Sequence, residues 1–382
     1  MGLATGLVIM ITCFTGAVLV YEKELQQVFN HSRYFTKPGG TMLSADILIE
    51  KFKTEYPGKK IASLKVFSDP ARNAEISFVS NTNNEKRSSV AKGKEKRETR
   101  LVAFIDPYTG SVAEIYNHRE SFFYFVMDLH RWMLGGEVGK LVVGVCTVVF
   151  IFILITGVIL WWPKNKAILK QRLKIKTGAG FKRLNHDYHV VLGFYSSIFL
   201  IVLAFTGLAW SFEWFNNGIY AITNSSKERA QPLKSVAMLS NKYGAENAIR
   251  KVKESQQSSY YQLTFPKDST EAYSVVVLPP EAPHESATDT YFIDQYSGKM
   301  LGAQTFASRN KGQRIRATFK PVHVASIYGH TSKAIGFLAC LAGTFFPISG
   351  IIMWINRSWK KKKKADTAVR INRSVEVPDA LV

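Results

Sequence analysis

A chain of 382 residues would ordinarily make two or three domains, but here the apolar residues, 46% of the total, collect in four charge-free blocks: Leu3–Val20, Leu141–Trp162, Val190–Trp210 and Ala334–Ile355. Each block is close to the roughly 17–25 residues that cross a hydrocarbon core, so composition excludes a wholly soluble protein and predicts four membrane spans. The net charge of +21 is unevenly placed and acts partly as a topology signal, so nucleic acid is not an expected partner.

In chain order, residues 1–21 form span 1, without the basic start or small-residue cleavage site of a typical signal peptide. Residues 22–127 form a first soluble module. Within it Ser44–Tyr56 has a helical apolar pattern with Ser44 as N-cap. A β-rich stretch, Leu101–Asp106, then ends in Asp106-Pro107-Tyr108-Thr109-Gly110, residue types that suit a tight turn. Between two apparent strands, Glu85–Arg100 carries Lys86, Arg87, Lys92, Lys94, Lys96, Arg97 and Arg100. It reads as a basic hairpin tip, placed to steer anions. Residues 128–162 are span 2 with an outward helical extension, 163–185 a basic link, and 186–215 span 3. A second module, 216–320, ends its strand Tyr291–Asp294 in Asp294-Gln295-Tyr296-Ser297-Gly298. Residues 321–356 are span 4 with its own extension, and 357–382 form a basic tail.

Lysine and arginine set the orientation. The 163–185 link holds Lys164, Lys166, Lys170, Arg172, Lys174, Lys176, Lys182 and Arg183 with no acid, and the tail holds Arg357 and Lys360–Lys364. Both belong in the cytoplasm, which places both termini inside and the two modules outside. Lys360–Lys364 reads as an anchor at anionic headgroups, and Trp161, Trp162 and Trp354 as interfacial anchors.

One spaced set of residues occurs twice. His130, Gly136, Lys140, Thr156-Gly157 and Trp161 recur at identical intervals as His323, Gly329, Lys333, Ser349-Gly350 and Trp354. Gly2 with Thr15-Gly16 likewise matches Gly193 with Thr206-Gly207. The expected fold is thus an α-helical membrane protein with four transmembrane helices in two internal repeats, each repeat enclosing an α+β module. The small Thr/Ser-Gly pairs read as close-packing points between helices, close enough to suit a wedged flat ring as well.

His31, His118 and His284 have no partner at ligand spacing and read as surface residues, while five other histidines gather at span ends. His130 and His323 occupy equivalent positions, eleven residues before Leu141 and Ala334. If their helices continue outward, both stand about 16 Å above their apolar blocks. Equal height on two helices suits paired axial imidazoles on an iron porphyrin. His330, one heptad below His323 and on the same face, reads as a hydrogen-bond donor or propionate contact beside that pair. The cysteines Cys13, Cys146 and Cys340 all lie in spans and form no C-x-x-C-H motif, so any haem is held non-covalently. At the inner end His186 and His189 open span 3. Projected onto span 1, the match to His189 falls three positions before Met1, so a His codon just upstream is expected.

The segments Leu129-His130-Arg131-Trp132, Gly157–Pro163, His186-Asp187-Tyr188-His189 with Gly193-Phe194-Tyr195, and Asp106–Gly110 together resemble the PepSY-associated transmembrane family. That family includes iron-regulated inner-membrane proteins and siderophore reductases. The resemblance covers nearly the whole chain. It implies a bacterial inner-membrane protein with two periplasmic PepSY-like modules and b-type haem, with His130 and His323 on an outer haem and His189 on an inner one. The activity expected is that of a haem oxidoreductase that passes electrons outward to reduce a ferric chelate such as a ferric siderophore. No Gly-rich dinucleotide fingerprint is present, so the expected donor is a quinol or a separate reductase. The alternative is a non-redox PepSY-type binding or regulatory protein on a membrane anchor.

Overall fold

The computed structural model describes residues 2–80, 99–228, 230–236 and 243–375. The chain opens with α1 (Gly2–Val20), α2 (Glu22–Phe29), α3 (His31–Tyr34) and α4 (Ala45–Glu55). The first four strands follow as β1 (Lys60–Phe67), β2 (Ala74–Ser80), β3 (Thr99–Ile105) and β4 (Val112–Tyr116). Next come α5 (Phe122–Trp132), α6 (Gly136–Trp161), α7 (Lys166–Arg172), α8 (Phe181–Ser211), α9 (Glu213–Ile222) and α10 (Ala245–Lys253). The chain then forms β5 (Tyr260–Thr264), β6 (Tyr273–Val277), β7 (Asp289–Ile293), β8 (Met300–Gln304), α11 (Lys311–His323) and α12 (Gly329–Val375).

Among the described residues three helices, α6, α8 and the Gly329–Ser358 part of α12, are long and apolar enough to cross a membrane. A fourth is reached when α1 and α2, bent by 54° where the sequence turns from Val20 to Glu22-Lys23-Glu24, count as one span. Their surfaces are apolar: Leu160, Phe152 and Leu338 are exposed on the helix exteriors, as lipid contact requires. The protein is a multi-pass membrane protein. Within the bundle α1 packs on α12, α6 on α8, and α8 on α12.

The two soluble modules do not stay separate. Their strands merge into one eight-stranded antiparallel sheet in the order β4-β3-β2-β1-β5-β6-β7-β8. The join is β1 against β5, with Leu64 opposite Leu263 and Lys65 opposite Gln262. Each strand would otherwise present a row of unpaired backbone groups, and pairing them removes two exposed edges at once. Helices α4 and α10 share one face of the sheet, where Leu48, Phe52, Leu64, Ile76, Phe78, Ile105, Ile249, Leu263 and Ile293 form one continuous core. Each fully buried side chain of this size contributes about 1.5–3 kcal/mol. Ser44 caps α4 as expected, its Oγ accepting from the Ile47 amide.

Across the join the two helices also cap each other. Glu246 Oε2 accepts from the Ala45 amide at 2.7 Å, and Asp46 Oδ1 accepts from the Ala245 amide at 2.8 Å. The N-cap of α10 is Gly244, which has no side chain, so the carboxylate comes from the neighbouring helix. Asp46→Ala is expected to cost about 1–2 kcal/mol through this lost cap. Amide exchange in the first turn of α10 measures it, and unchanged protection there would refute the trans-cap.

Both expected turns form. Asp106 Oδ1 accepts from the Tyr108 and Thr109 amides, and Gly110 has φ +74°. Asp294 Oδ1 accepts from the Tyr296 and Ser297 amides, and Gly298 has φ +66°. The two tyrosines have a use that the turn alone does not explain: Tyr108 Oη donates to the Pro70 carbonyl and Tyr296 Oη to the Ser269 carbonyl. The basic segment 85–100 lies outside the described residues except for Thr99 and Arg100 in β3.

Three readings need correction. His284 is not at the surface: it is 8% exposed, its Nε2 is 3.2 Å from Thr318 Oγ1 of α11, and burial lowers its pKa. Trp161 is buried, whereas Trp162 and Trp354 are exposed as anchors would be. The outward extensions of spans 2 and 4 are not continuous with them. After α5 the chain reverses through Met133 and Leu134, at φ +49° and +58°, and Gly136 at +57°. After α11 it reverses through Ala325 at φ +54° and Gly329 at +63°. A non-glycine residue in this region costs roughly 1–2 kcal/mol, so the reversal is imposed by what it positions. A Cβ at Gly139 would run into the Trp132 carbonyl, which explains the glycine at that close approach. The result is that α5 packs on α1 and α11 on α8.

Candidate functional site

Because α5 and α11 fold back, His130 and His323 do not stand above the bundle. They lie beside the helices they pack on, at the end of the bundle that carries the sheet. His130 Nδ1 is 2.9 Å from the Thr12 carbonyl oxygen and 3.1 Å from Thr15 Oγ1. His323 Nδ1 is 2.9 Å from the Leu203 carbonyl oxygen and 3.1 Å from Thr206 Oγ1. A carbonyl can only accept, so each Nδ1 carries the proton. The threonine hydroxyls point the same way. Thr15 donates its own proton to the Ile11 and Thr12 carbonyls and Thr206 to those of Val202 and Leu203, leaving both oxygens as acceptors. With Nδ1 protonated, each Nε2 holds a free lone pair, the state of a metal-ligating imidazole.

The glycine after each threonine makes room for the ring. A Cβ built on Gly16 would lie 3.2 Å from His130 Cε1, and one on Gly207 would lie 3.1 Å from His323 Cε1. The Thr-Gly pairs of α1 and α8, which the sequence suggests as helix-packing points, are therefore imidazole seats. The two rings meet with centroids 6.2 Å apart and planes at 62°. Two imidazoles on opposite sides of one metal, at ~2 Å per metal–nitrogen bond, have ring centres about 6 Å apart. Trp210 closes one side, its ring 5.3 Å from that of His323.

Among the described residues no group of three or more His, Cys, Asp or Glu gathers to hold a metal ion. A bare ion in a protein usually takes four or more ligands. Two imidazoles alone complete a metal whose remaining positions are filled by a macrocycle, which makes this donor set a fit for iron porphyrin. His330 does not belong to it. The reversal at Ala325–Gly329 breaks the heptad relation to His323, and His330 is exposed on the first turn of α12. Lys333, one turn further along α12, pairs with Glu24 of α2 at 2.6 Å.

A second cluster lies at the opposite end, where the basic link joins α6 to α8. His189 Nδ1 is 2.6 Å from Ser349 Oγ of α12. Ser349 Oγ is also 3.0 Å from the Phe346 carbonyl oxygen, to which it donates when His189 Nδ1 carries the ring proton; in that tautomer Nε2 is left free. His186, half-exposed one turn earlier, has Nδ1 3.4 Å from Asp187 Oδ1, and buried Asp187 is paired with Arg183 at 2.8 Å. Both histidines line a cavity of about 770 Å³ between α1, α6, α8 and α12. Thr156, the sequence equivalent of Ser349, donates to the Phe152 and Ile153 carbonyls of its own helix.

The structure brings His130 and His323 together, sets His186 and His189 on one cavity, and leaves His330 exposed apart from the pair. Sequence spacing misses the roles of Thr15, Thr206, Gly16, Gly207 and Ser349, although each sits inside a repeated pair. The family model described as the PepSY-associated TM region matches residues 1–357. No curated protein matches the chain.

Proposed function

The chain belongs to the PepSY-associated transmembrane family, and from that premise we propose that it is a haem-containing oxidoreductase of the bacterial inner membrane. In this reading four spans in two repeats carry electrons outward, and a ferric chelate of the siderophore kind is reduced on the sheet side, in the periplasm. The observation that supports it most directly is the His130–His323 pair, two imidazoles fixed in the same tautomer by the same two contacts on two helices.

A b-type haem bound there supplies reversible one-electron storage. The protein does the rest. His130 and His323 present their Nε2 atoms, and the Thr12 and Leu203 carbonyls raise the basicity of both rings by accepting from Nδ1–H. Thr15 and Thr206 fix ring rotation. The surrounding span residues keep water from the pair, and the merged sheet stands over this end of the bundle. Ferric chelates hold iron far more tightly than their ferrous forms, so delivering one electron is enough to release the metal. No acid–base or nucleophilic step is required of the chain. The second haem that the resemblance implies would fall in the cavity at His189, where the described residues provide one free imidazole nitrogen.

The competing reading, a non-redox scaffold on a membrane anchor, accounts for the sheet and leaves the matched histidine seats unexplained. An absorption spectrum of the purified protein reduced with dithionite separates the two. The expected result is a low-spin b-type spectrum that is reoxidised on adding a ferric chelate, with ferrous iron captured by a chromogenic trap. A protein purified from haem-replete cells with no Soret band would overturn the proposal.

A further inference from the structure

His130 and His323 hold equal positions in the two repeats and make equal contacts, so the rotation that exchanges the halves also exchanges the two rings. The two carboxylates of a haem sit side by side on one rim. A half-turn about the line that runs between them through the iron swaps the two faces of the ring and, with them, the two carboxylates. A haem ligated once by each half therefore turns one carboxylate towards each half. A carboxylate taken out of water needs a cation and hydrogen-bond donors, so each half should supply one such partner.

Each half has an arginine stacked on a tryptophan beside its histidine. Arg131 directly follows His130, and its Nε is buried with no hydrogen-bond partner among the described residues. Its guanidinium lies 4.6 Å from the ring centre of Trp132. Glu137, at the start of α6, is paired with Lys140 at 3.2 Å. In the other half Trp210 packs 5.3 Å from the His323 ring, and the Arg316 guanidinium lies 4.8 Å from Trp210. Asn216 Oδ1 accepts from Arg316 Nε at 2.6 Å, which fixes the plane of that group. A guanidinium laid on an indole keeps its charge and its fork of N–H donors, the geometry that matches a carboxylate.

The internal duplication does not generate this match. Trp210 stands four residues after Thr206, and the residue four after Thr15 is Leu19. Arg316 stands seven before His323, and the residue seven before His130 is Phe123. Arg131 and Trp132 correspond to Val324 and Ala325. The halves thus reach the same arrangement with different residues, and a common origin does not account for it. Both arginines also lie towards the sheet. Arg316 is about 10 Å nearer the sheet end of α11 than His323, and Arg131 sits where the end of α5 meets the first turn of α6. His330, to which spacing gives the propionate contact, is exposed on α12 beyond the reversal.

We infer that Arg131 and Arg316 hold the two propionates of a haem ligated by His130 and His323, one from each half, with the carboxylate rim turned to the sheet. This assignment takes the haem reading of the outer pair as its premise.

The test titrates the full chain in lipid nanodiscs, freed of haem and carrying His189→Ala so that the outer pair alone gives a low-spin signal. Two porphyrins are compared: haemin, and haemin dimethyl ester, which keeps the iron and the ring but has no carboxylate charge. The parent chain should favour haemin about a hundredfold, roughly tenfold for each charge-assisted contact. Arg131→Met and Arg316→Met should each weaken haemin about tenfold and leave the affinity for the ester unchanged, and Arg131→Lys and Arg316→Lys should restore part of the loss. A residue that merely supports the fold would weaken both porphyrins alike. If a methionine variant fails to fold, haemin against its ester in the parent chain still decides. Equal affinity for the two, both bound low-spin, overturns the assignment and leaves the histidine pair standing. So does a preference for haemin that survives both methionine substitutions. No low-spin spectrum with either porphyrin removes the pair and the assignment together.

Discussion

Replacing either His130 or His323 with alanine is expected to abolish the low-spin spectrum and to reduce haem retention by more than the roughly 10–100-fold that follows loss of an outer hydrogen-bond partner of a metal ligand. The expectation is the same for both because their surroundings are the same. Each Nδ1 lies 2.9 Å from a carbonyl oxygen and 3.1 Å from a threonine hydroxyl, and the two ring centres are 6.2 Å apart. Removing one ring leaves the other correctly oriented, so the variant should bind haem weakly in a high-spin form that added imidazole returns to low spin. Rescue by free imidazole separates a lost ligand from a collapsed helix. His330→Ala should leave the spectrum unchanged, because that side chain is exposed on the first turn of α12, beyond the reversal at Ala325–Gly329. A full low-spin spectrum in both His130→Ala and His323→Ala would remove the pair from the site.

What the sequence discloses and what it hides follow from the range of the interactions concerned. Spans, the helix at Ser44–Tyr56, the two Asp-x-Tyr-x-Gly turns and the equivalence of His130 with His323 are local patterns, readable from hydropathy, turn chemistry and equal intervals. The merged sheet is not local: β1 and β5 are separated by nearly two hundred residues, and either could have been an edge strand. The reversals after α5 and α11 were half-visible. Gly135-Gly136 marks the first, yet the left-handed residues that do the turning are Met133, Leu134 and Ala325, side chains that give no warning. Once the reversal is missed, height is misjudged, and His330 is placed beneath His323 when it lies exposed on the first turn of α12. His284 shows the same limit in reverse. Its spacing has no partner in sequence, but Thr318 and Phe306 enclose it in space.

Gly16→Val and Gly207→Val are expected to be as damaging to the proposed haem site as loss of the histidines, although neither glycine carries any chemistry. A Cβ at these positions would stand 3.2 Å from His130 Cε1 and 3.1 Å from His323 Cε1, already tighter than ordinary contact. The two further methyl groups of valine have no room between helix and ring, so the imidazole must move away from the carbonyl and hydroxyl that hold Nδ1. A shift of about 1 Å is enough to lose ligation geometry in a preorganised site. Alanine should be intermediate, since the ring needs to give by only a few tenths of an ångström. Gly350 provides the contrast: it belongs to the same kind of Ser/Thr-Gly pair in sequence, yet a Cβ there meets nothing within 4 Å. Gly350→Val should therefore keep a normal spectrum. If the pairs served only to bring helices together, the outer spectrum would survive at Gly16 and Gly207 as it does at Gly350, with the loss appearing instead as lowered thermal stability. Haem content and melting temperature, measured side by side for the three valine variants, decide between an imidazole seat and a packing contact.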